Sequence, residues 1–400
     1  MGKDQKIRRK RIDGKTTDMT GNGKKINLLF VLLQMATGGA EKVALTIAEH
    51  LDRSLFRVHV AGFEGGALRD RFSEVSEAVF QVPRRNGRDL KTVLLLSRII
   101  RENHIDVINC HHYAAFFYSW LAARLARAGT IVYTEHSAGE VEDIRHIHKF
   151  LCSSLFFKKT GAIVGVSREI GDAFSTRFPG HGRLVTSIPN GIDVQKFAGT
   201  GRREQVRNAF GIAPDDFLIG TIANFRRVKN HLCLLRAFTL LGAARPGTRL
   251  VFVGRGYADD GENSEKEVRD YVQTYGLEDR VLFAGYREDI ADILESLDLF
   301  CLPSVSEGLP VSVLEAMAAG VPVVGSDVRG IREVVRHGRT GLLFPSNDAT
   351  SLARAIESLI GDVRTRTRLT EEAFSYVRLE HDLRPWIARY ENLFQGSFHA

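Results

Sequence analysis

The stretch from Asp298 to Ser326, DLFCLPSVSEGLPVSVLEAMAAGVPVVGS, leaves this chain little choice of fold. Two short apolar runs, Asp298 to Pro303 and Val321 to Gly325, have strand length and a β-branched or aromatic content. Between them Pro310 suits the first position of a helix and Gly320 the residue just past its end. The helix predicted from Pro310 to Ala319 is apolar on nearly every side, through Val311, Val313, Leu314, Ala316, Met317 and Ala318, and so reads as buried. Glu315 breaks that pattern, and an unpaired buried carboxylate costs roughly several kcal/mol. Glu307 lies in the loop before the helix, where Gly308 permits close backbone approach and the first amides form an anion site. Two carboxylates flanking such a site suit a polyhydroxylated, phosphorylated ligand. The spacing equally allows Glu307 to serve only the helix dipole and Glu315 to pair with a core arginine.

The rest of the chain repeats the alternation. Strands are expected at Ile26 to Gln34, Arg57 to Phe63, Val107 to Cys110, Thr130 to Thr134, Ile163 to Val166 and Leu184 to Ile188, with helices at Lys42 to Leu51, Leu90 to His104 and Trp120 to Arg127. A second series has strands at Phe217 to Ile222, Arg249 to Val253 and Val281 to Phe283, and further helices from His231, Ser351, Glu371 and Leu383. This order predicts an α/β chain of two doubly wound parallel-sheet, Rossmann-like domains facing a cleft. The expected division is a basic tail over 1–25, a first domain over 26–193, a linker over 194–208, a second domain over 209–380 and a terminal helix over 381–400. Four hundred residues exceed one ordinary core, in agreement.

Charge is placed unevenly. The formal net charge is +7, but the first 25 residues carry nine basic against three acidic side chains. The excess belongs to a tail expected to be disordered rather than to a groove, so nucleic acid is not an expected partner. Cys110, Cys152, Cys233 and Cys301 are widely spaced in apolar surroundings and read as buried reduced thiols of a cytoplasmic protein. No apolar run has the length of a membrane span. The stretch from Arg145 to Lys159 mixes cations with Leu and Phe, and reads equally as a core helix with exposed lysines or as a peripheral contact with an anionic membrane surface at its inner face.

Several strand-end loops carry polar groups. Gly38-Gly39-Ala40-Glu41 lacks the spacing of a dinucleotide-binding loop, though a glycine pair before a helix still lets amides meet phosphate. Arg226, Arg227 and Lys229 follow a strand, where cations offset pyrophosphate charge. His111, His112 and His136 end two first-domain strands. No Asp-x-Asp motif or zinc-type spacing is present, and metal independence is expected.

Ser306-Glu307-Gly308-Leu309-Pro310, followed by Glu315 through Val324, closely resembles the Glu-x7-Glu motif of family-4 retaining glycosyltransferases, which have the GT-B fold. The resemblance implies transfer of a hexose from a UDP- or GDP-sugar to a hydroxyl acceptor, a glycan or lipid-linked glycan, without a cofactor. It implies catalytic roles for His111, Arg226, Lys229 and Glu307. Donor contacts would come from Gly38, Gly39, Gly254, Tyr286, Arg287, Glu307, Gly308, Leu309 and Pro310, with Glu315 on the ribose; Glu41 and His136 would face the acceptor. The family places an arginine where this chain has Asn224, so Arg226 is expected to substitute, while Lys229 matches directly. In the resembled fold the terminal helix crosses back onto the first domain. Alternatives are a nucleotide-sugar epimerase of related fold and a non-catalytic sugar-nucleotide-binding protein.

Overall fold

A computed structural model describes residues 24–85, 89–144, 151–257 and 261–399. The basic tail up to Gly23 and the segment 145–150, part of the stretch read as either a core helix or a membrane contact, lie outside the described residues.

The first sheet holds β1 (Ile26–Gln34), β2 (Phe56–Glu64), β3 (Ala78–Gln81), β4 (Val107–His111), β5 (Thr130–Glu135), β6 (Thr160–Gly165) and β7 (Val185–Ser187). All pairings are parallel, in the order β3-β2-β1-β4-β5-β6-β7. The second sheet holds β8 (Phe217–Ile222), β9 (Thr248–Val253), β10 (Val281–Gly285), β11 (Leu299–Leu302), β12 (Val323–Ser326) and β13 (Leu342–Phe344), in the order β10-β9-β8-β11-β12-β13, again parallel. Helices cover both faces of each sheet, which is why Leu28 to Leu32 is an unbroken buried apolar run rather than an alternating one. Leu29, for example, lies between His59 of β2 and Ile108 of β4.

Strand order reverses at β1/β4 in the first sheet and at β8/β11 in the second. Ligands of open parallel sheets bind beyond the carboxyl ends of the strands at these points. The four loops leaving β1, β4, β8 and β11 carry Gly38, His112, Arg226 and Glu307.

Three expectations need correction. The stretch 194–208 is not a free linker: it forms helices Val194–Phe197 and Arg203–Ala209, and Val194, Phe197 and Val206 enter the second domain's core. Arg207 anchors it, only 5% exposed, donating to Asp298, to Ser296 O and to the carbonyls of Ala213 and Asp216. Asp298 therefore precedes its strand as an ion-pair partner of Arg203 and Arg207 instead of belonging to it. Pro310 caps the helix Val311–Ala318 with extended backbone (φ −73°, ψ 111°) and does not occupy its first turn.

The chain passes between the halves at two adjacent points. Ile192 N donates to His381 O at 2.9 Å, His381 Nδ1 lies 2.8 Å from Asn190 O, and a Cβ on Gly191 would meet the Trp386 ring at 2.6 Å. The terminal helix, Leu383–His399, packs on the first sheet: Phe394 is fully buried edge-on to Phe30 and Phe56, beside buried Trp386, Ile387 and Tyr390. Pro385 falls in its first turn, where the missing amide costs nothing.

Candidate functional site

A cleft of about 270 Å³ opens where the two switch points face each other. Of the residues the sequence singled out, Gly38, Gly39, His136, Arg226, Lys229, Gly254, Tyr286, Arg287, Glu307, Gly308, Leu309, Pro310 and Glu315 line it. Four do not: His111 is 1% exposed behind His136, Glu41 is 6% exposed beneath the glycine loop, and His112 and Arg227 also lie outside it.

The cleft is narrow because its loops touch. A Cβ on Gly308 would lie 2.1 Å from the carbonyl oxygen of His136, so only glycine allows the second domain's loop to rest on the first domain's strand end. Gly254 is held at φ +149° with the carbonyl of Ala223 2.1 Å from where its Cβ would stand. Asn224 Nδ2 donates to Thr37 O at 3.2 Å, and the hydroxyls of Thr37 and Tyr257 share a short hydrogen bond, so the loop before Gly38 is also tied to the second domain.

The cations separate by role. Lys229 Nζ donates to both oxygens of Glu307, at 2.6 and 2.9 Å, and Ser304 Oγ donates to Oε1 at 2.6 Å. With side chains 25% and 9% exposed, this pair sits in the cleft wall with both carboxylate oxygens held. Arg226 lines the cleft, whereas Arg227 turns outward to Glu267. Arg287 is held by Asp289 at 2.5 and 2.8 Å, and the Arg255 guanidinium lies 5.0 Å from the ring centres of both Tyr257 and Tyr286.

The Glu315 carboxylate makes no hydrogen bond to another described residue. Burial raises its carboxyl above the ordinary carboxylate range, opposed by the charges of Lys42 and Lys196. The reading that paired it with a core arginine is not what the structure holds. Lys42, in the first turn of the helix Gly39–His50, lines the same cleft. Sequence reasoning passed over it; its signal was a lone cation just past the glycine pair. Asn190, also passed over as a site residue, donates from Nδ2 to Leu309 O at 3.1 Å, while its buried Oδ1 has no partner among the described residues.

Behind His136 the first domain builds a polar layer. His111 Nδ1 is 2.8 Å from His136 Nε2, and His111 Nε2 is 2.9 Å from Asn109 Oδ1. His112, at φ +70°, sets Nδ1 3.3 Å from Glu135 Oε1 and 3.3 Å from Glu140 Oε2. Burial works against charge on His112, but its bonds to the two glutamates and their charges overcome this and hold it up at about 10. These three side chains could converge on a metal, their ligand atoms lying within 4.8 Å of one another. Yet Glu135 already accepts from Tyr133 OH (2.6 Å) and the amides of His136 (2.7 Å) and Ser137 (3.1 Å), and a protonated imidazole is no ligand. An ion pair accounts for the group. Glu41 nearby is raised by burial, opposed by its own amide, by His112, by Gln34 and by Arg226.

Two parallel-sheet domains facing one cleft across their switch points define the GT-B class of fold. The profile described as Glycosyltransferase Family 4 matches residues 37–196, and that described as Glycosyl transferases group 1 matches residues 202–376. The chain belongs to the family-4 glycosyltransferases. It is 26% identical over 357 residues to the UDP-Gal:alpha-D-GlcNAc-diphosphoundecaprenol alpha-1,3-galactosyltransferase of Escherichia coli, covering 86% of this chain and 90% of that one. It is 30% identical over 217 residues to the lipopolysaccharide core biosynthesis mannosyltransferase LpsB of Rhizobium meliloti, covering 52% and 61%. Among solved structures, Anabaena HepE in complex with UDP-glucose superposes with a TM-score of 0.82 at 23% identity, covering 92% of this chain and 99% of that one.

Proposed function

We propose that this protein transfers a hexose from a UDP- or GDP-sugar to a hydroxyl of a glycan or lipid-linked glycan, with retention at the anomeric carbon, in the synthesis of a surface polysaccharide. The observation that carries the reading is the cleft wall itself. Cations (Lys229, Arg226, Lys42) stand beside carboxylates (Glu307, Glu315) at two facing switch points, a match for a ligand with phosphates at one end and hydroxyls at the other. Neighbours in fold bind UDP and UDP-glucose, and the Escherichia coli relative takes a lipid diphosphate acceptor. In this reading Lys229 and Arg226 stabilise the departing diphosphate and Glu315 holds the ribose. Glu307, with both oxygens already engaged, orients sugar hydroxyls and is not a covalent nucleophile. The acceptor oxygen then attacks on the face the phosphate leaves, and the phosphate takes its proton. The cations do the work of a metal. None of the helices among the described residues is long and apolar enough to cross a membrane, so a lipid-linked acceptor would be met at a membrane surface.

Turnover tests this directly. Nucleoside diphosphate should be released from UDP- or GDP-sugars only when a hydroxyl acceptor is present. Interconversion of the sugar without acceptor would indicate an epimerase, and tight donor binding with no release would indicate a binding protein.

A further inference from the structure

The polar layer behind the cleft fixes a proton position. Asn109 Nδ2 donates to Val132 O (3.3 Å) and reaches Thr134 Oγ1 (2.8 Å), which leaves its Oδ1, an acceptor only, facing His111 Nε2. His111 must therefore carry its proton on Nε2. A neutral imidazole has one N–H, so His111 Nδ1 is a lone pair, and His136 Nε2 must donate to it across 2.8 Å. His136 is then left with a bare Nδ1, and the residue lines the cleft.

Both rings are kept neutral. Burial and the charge of His112 lower His111 to about 3; burial, then His111 and His112, lower His136 well below the ordinary range. The His112 ring centre is 5.1 Å from that of His136, and Glu135 and Glu140 answer the His112 charge. Glu135 meets His136 through the backbone amide, not the ring.

We infer that Asn109 and His111 are positioning residues that lock the tautomer of His136, which presents Nδ1 to the cleft as a fixed acceptor for a hydroxyl of the transferred hexose. The naming of the hexose rests on the proposed glycosyl transfer; the tautomer does not. A lone pair here repels phosphate oxygens and accepts a hydroxyl proton. It therefore assigns the sugar end of the donor to the His136 side, close to the Gly308 loop that rests on the His136 carbonyl. It also excludes His136 as a proton donor to the leaving group.

The test is long-range proton–nitrogen spectroscopy of the full chain with nitrogen-15 histidine, assigned through His111→Gln and His136→Gln. Both rings should show the Nε2–H tautomer across neutral pH. UDP-glucose or GDP-mannose should move the His136 Nδ1 signal, and UDP or GDP alone should not. Asn109→Leu should mix the tautomers and lower kcat about tenfold, one hydrogen bond's worth, with UDP affinity unchanged. His136→Asn, whose amide oxygen can take the Nδ1 place, should keep more transfer than His136→Gln. An Nδ1–H or doubly protonated His136 overturns the inference, as does a signal that UDP moves as much as UDP-glucose. If Asn109→Leu fails to fold, the wild-type spectra still decide. The expected sugar-dependent shift without any transfer would sink the transferase reading and leave this one standing.

Discussion

Glu315→Gln should make the empty protein more stable and the nucleotide complex weaker. Glu315 lies in the helix Val311–Ala318 with its carboxylate unbonded to any described residue, and only the charges of Lys42 and Lys196 oppose its desolvation. Glu315 is half-buried at the cleft wall, so removing its desolvated charge while keeping the side-chain shape relieves about 1 kcal/mol. The pH dependence has a definite sign. A carboxyl raised in the folded state holds its proton more tightly there than in the unfolded chain, where its pKa is about 4.3. The contribution to stability is therefore complete below the unfolded value and is lost as pH rises through the raised native value. The advantage of the glutamine variant should vanish in acid and be full at neutral pH. For binding, a charged hydrogen bond to ribose is worth about 1.5–3 kcal/mol, or roughly 10- to 150-fold in Kd for the nucleoside diphosphate. Denaturant unfolding across pH gives the first quantity and calorimetry with UDP or GDP the second. A less stable empty variant at neutral pH, with unchanged nucleotide affinity, would refute the reasoning and make Glu315 a structural residue.

Glu307→Gln should lower turnover by about 100-fold or more while UDP affinity, measured by calorimetry, stays within about threefold, since the free nucleotide has no sugar to orient. His112→Gln should cost about 3–5 kcal/mol by leaving buried Glu135 without its counter-charge. Because His112 is raised to about 10, that cost should be full below the unfolded histidine pKa of about 6.5 and fade as pH rises toward the native value, as followed by denaturant unfolding. Excess chelator should leave transfer intact; loss restored by magnesium or manganese would overturn the roles of Lys229 and Arg226.

Much of this site was legible because loop residues at strand ends are placed by the sheet itself. Once β1 and β8 were recognised as strands followed by helices, Gly38 and Lys229 had to lie at carboxyl ends. Glu307 and Glu315 stood out because one precedes and the other interrupts an apolar helix. Contacts made across the cleft could not be read. Neither the Lys229–Glu307 pair nor the seat of Gly308 on His136 is local in sequence. His111 was given a catalytic role by the family resemblance together with its place at the end of β4, but side chains alternate across a strand's two faces and depth is not encoded there. β3 and β13 were missed because four and three residues give too short a pattern to register. The stretch 194–208 looked like a linker because it is polar, yet Arg207 is buried against Asp298 and Arg203 reaches the same carboxylate from the half-exposed side.

The central claim, retaining transfer from a nucleotide sugar, is tested most directly by the configuration of the product. The wild-type chain would be incubated with UDP-glucose, UDP-galactose or GDP-mannose and a lipid-diphosphate N-acetylhexosamine acceptor, and the new linkage read from its anomeric proton coupling. An α-linked product, formed with equimolar release of nucleoside diphosphate and no release in the absence of acceptor, is the predicted result. A β-linked product, or sugar conversion that proceeds without acceptor, would contradict it.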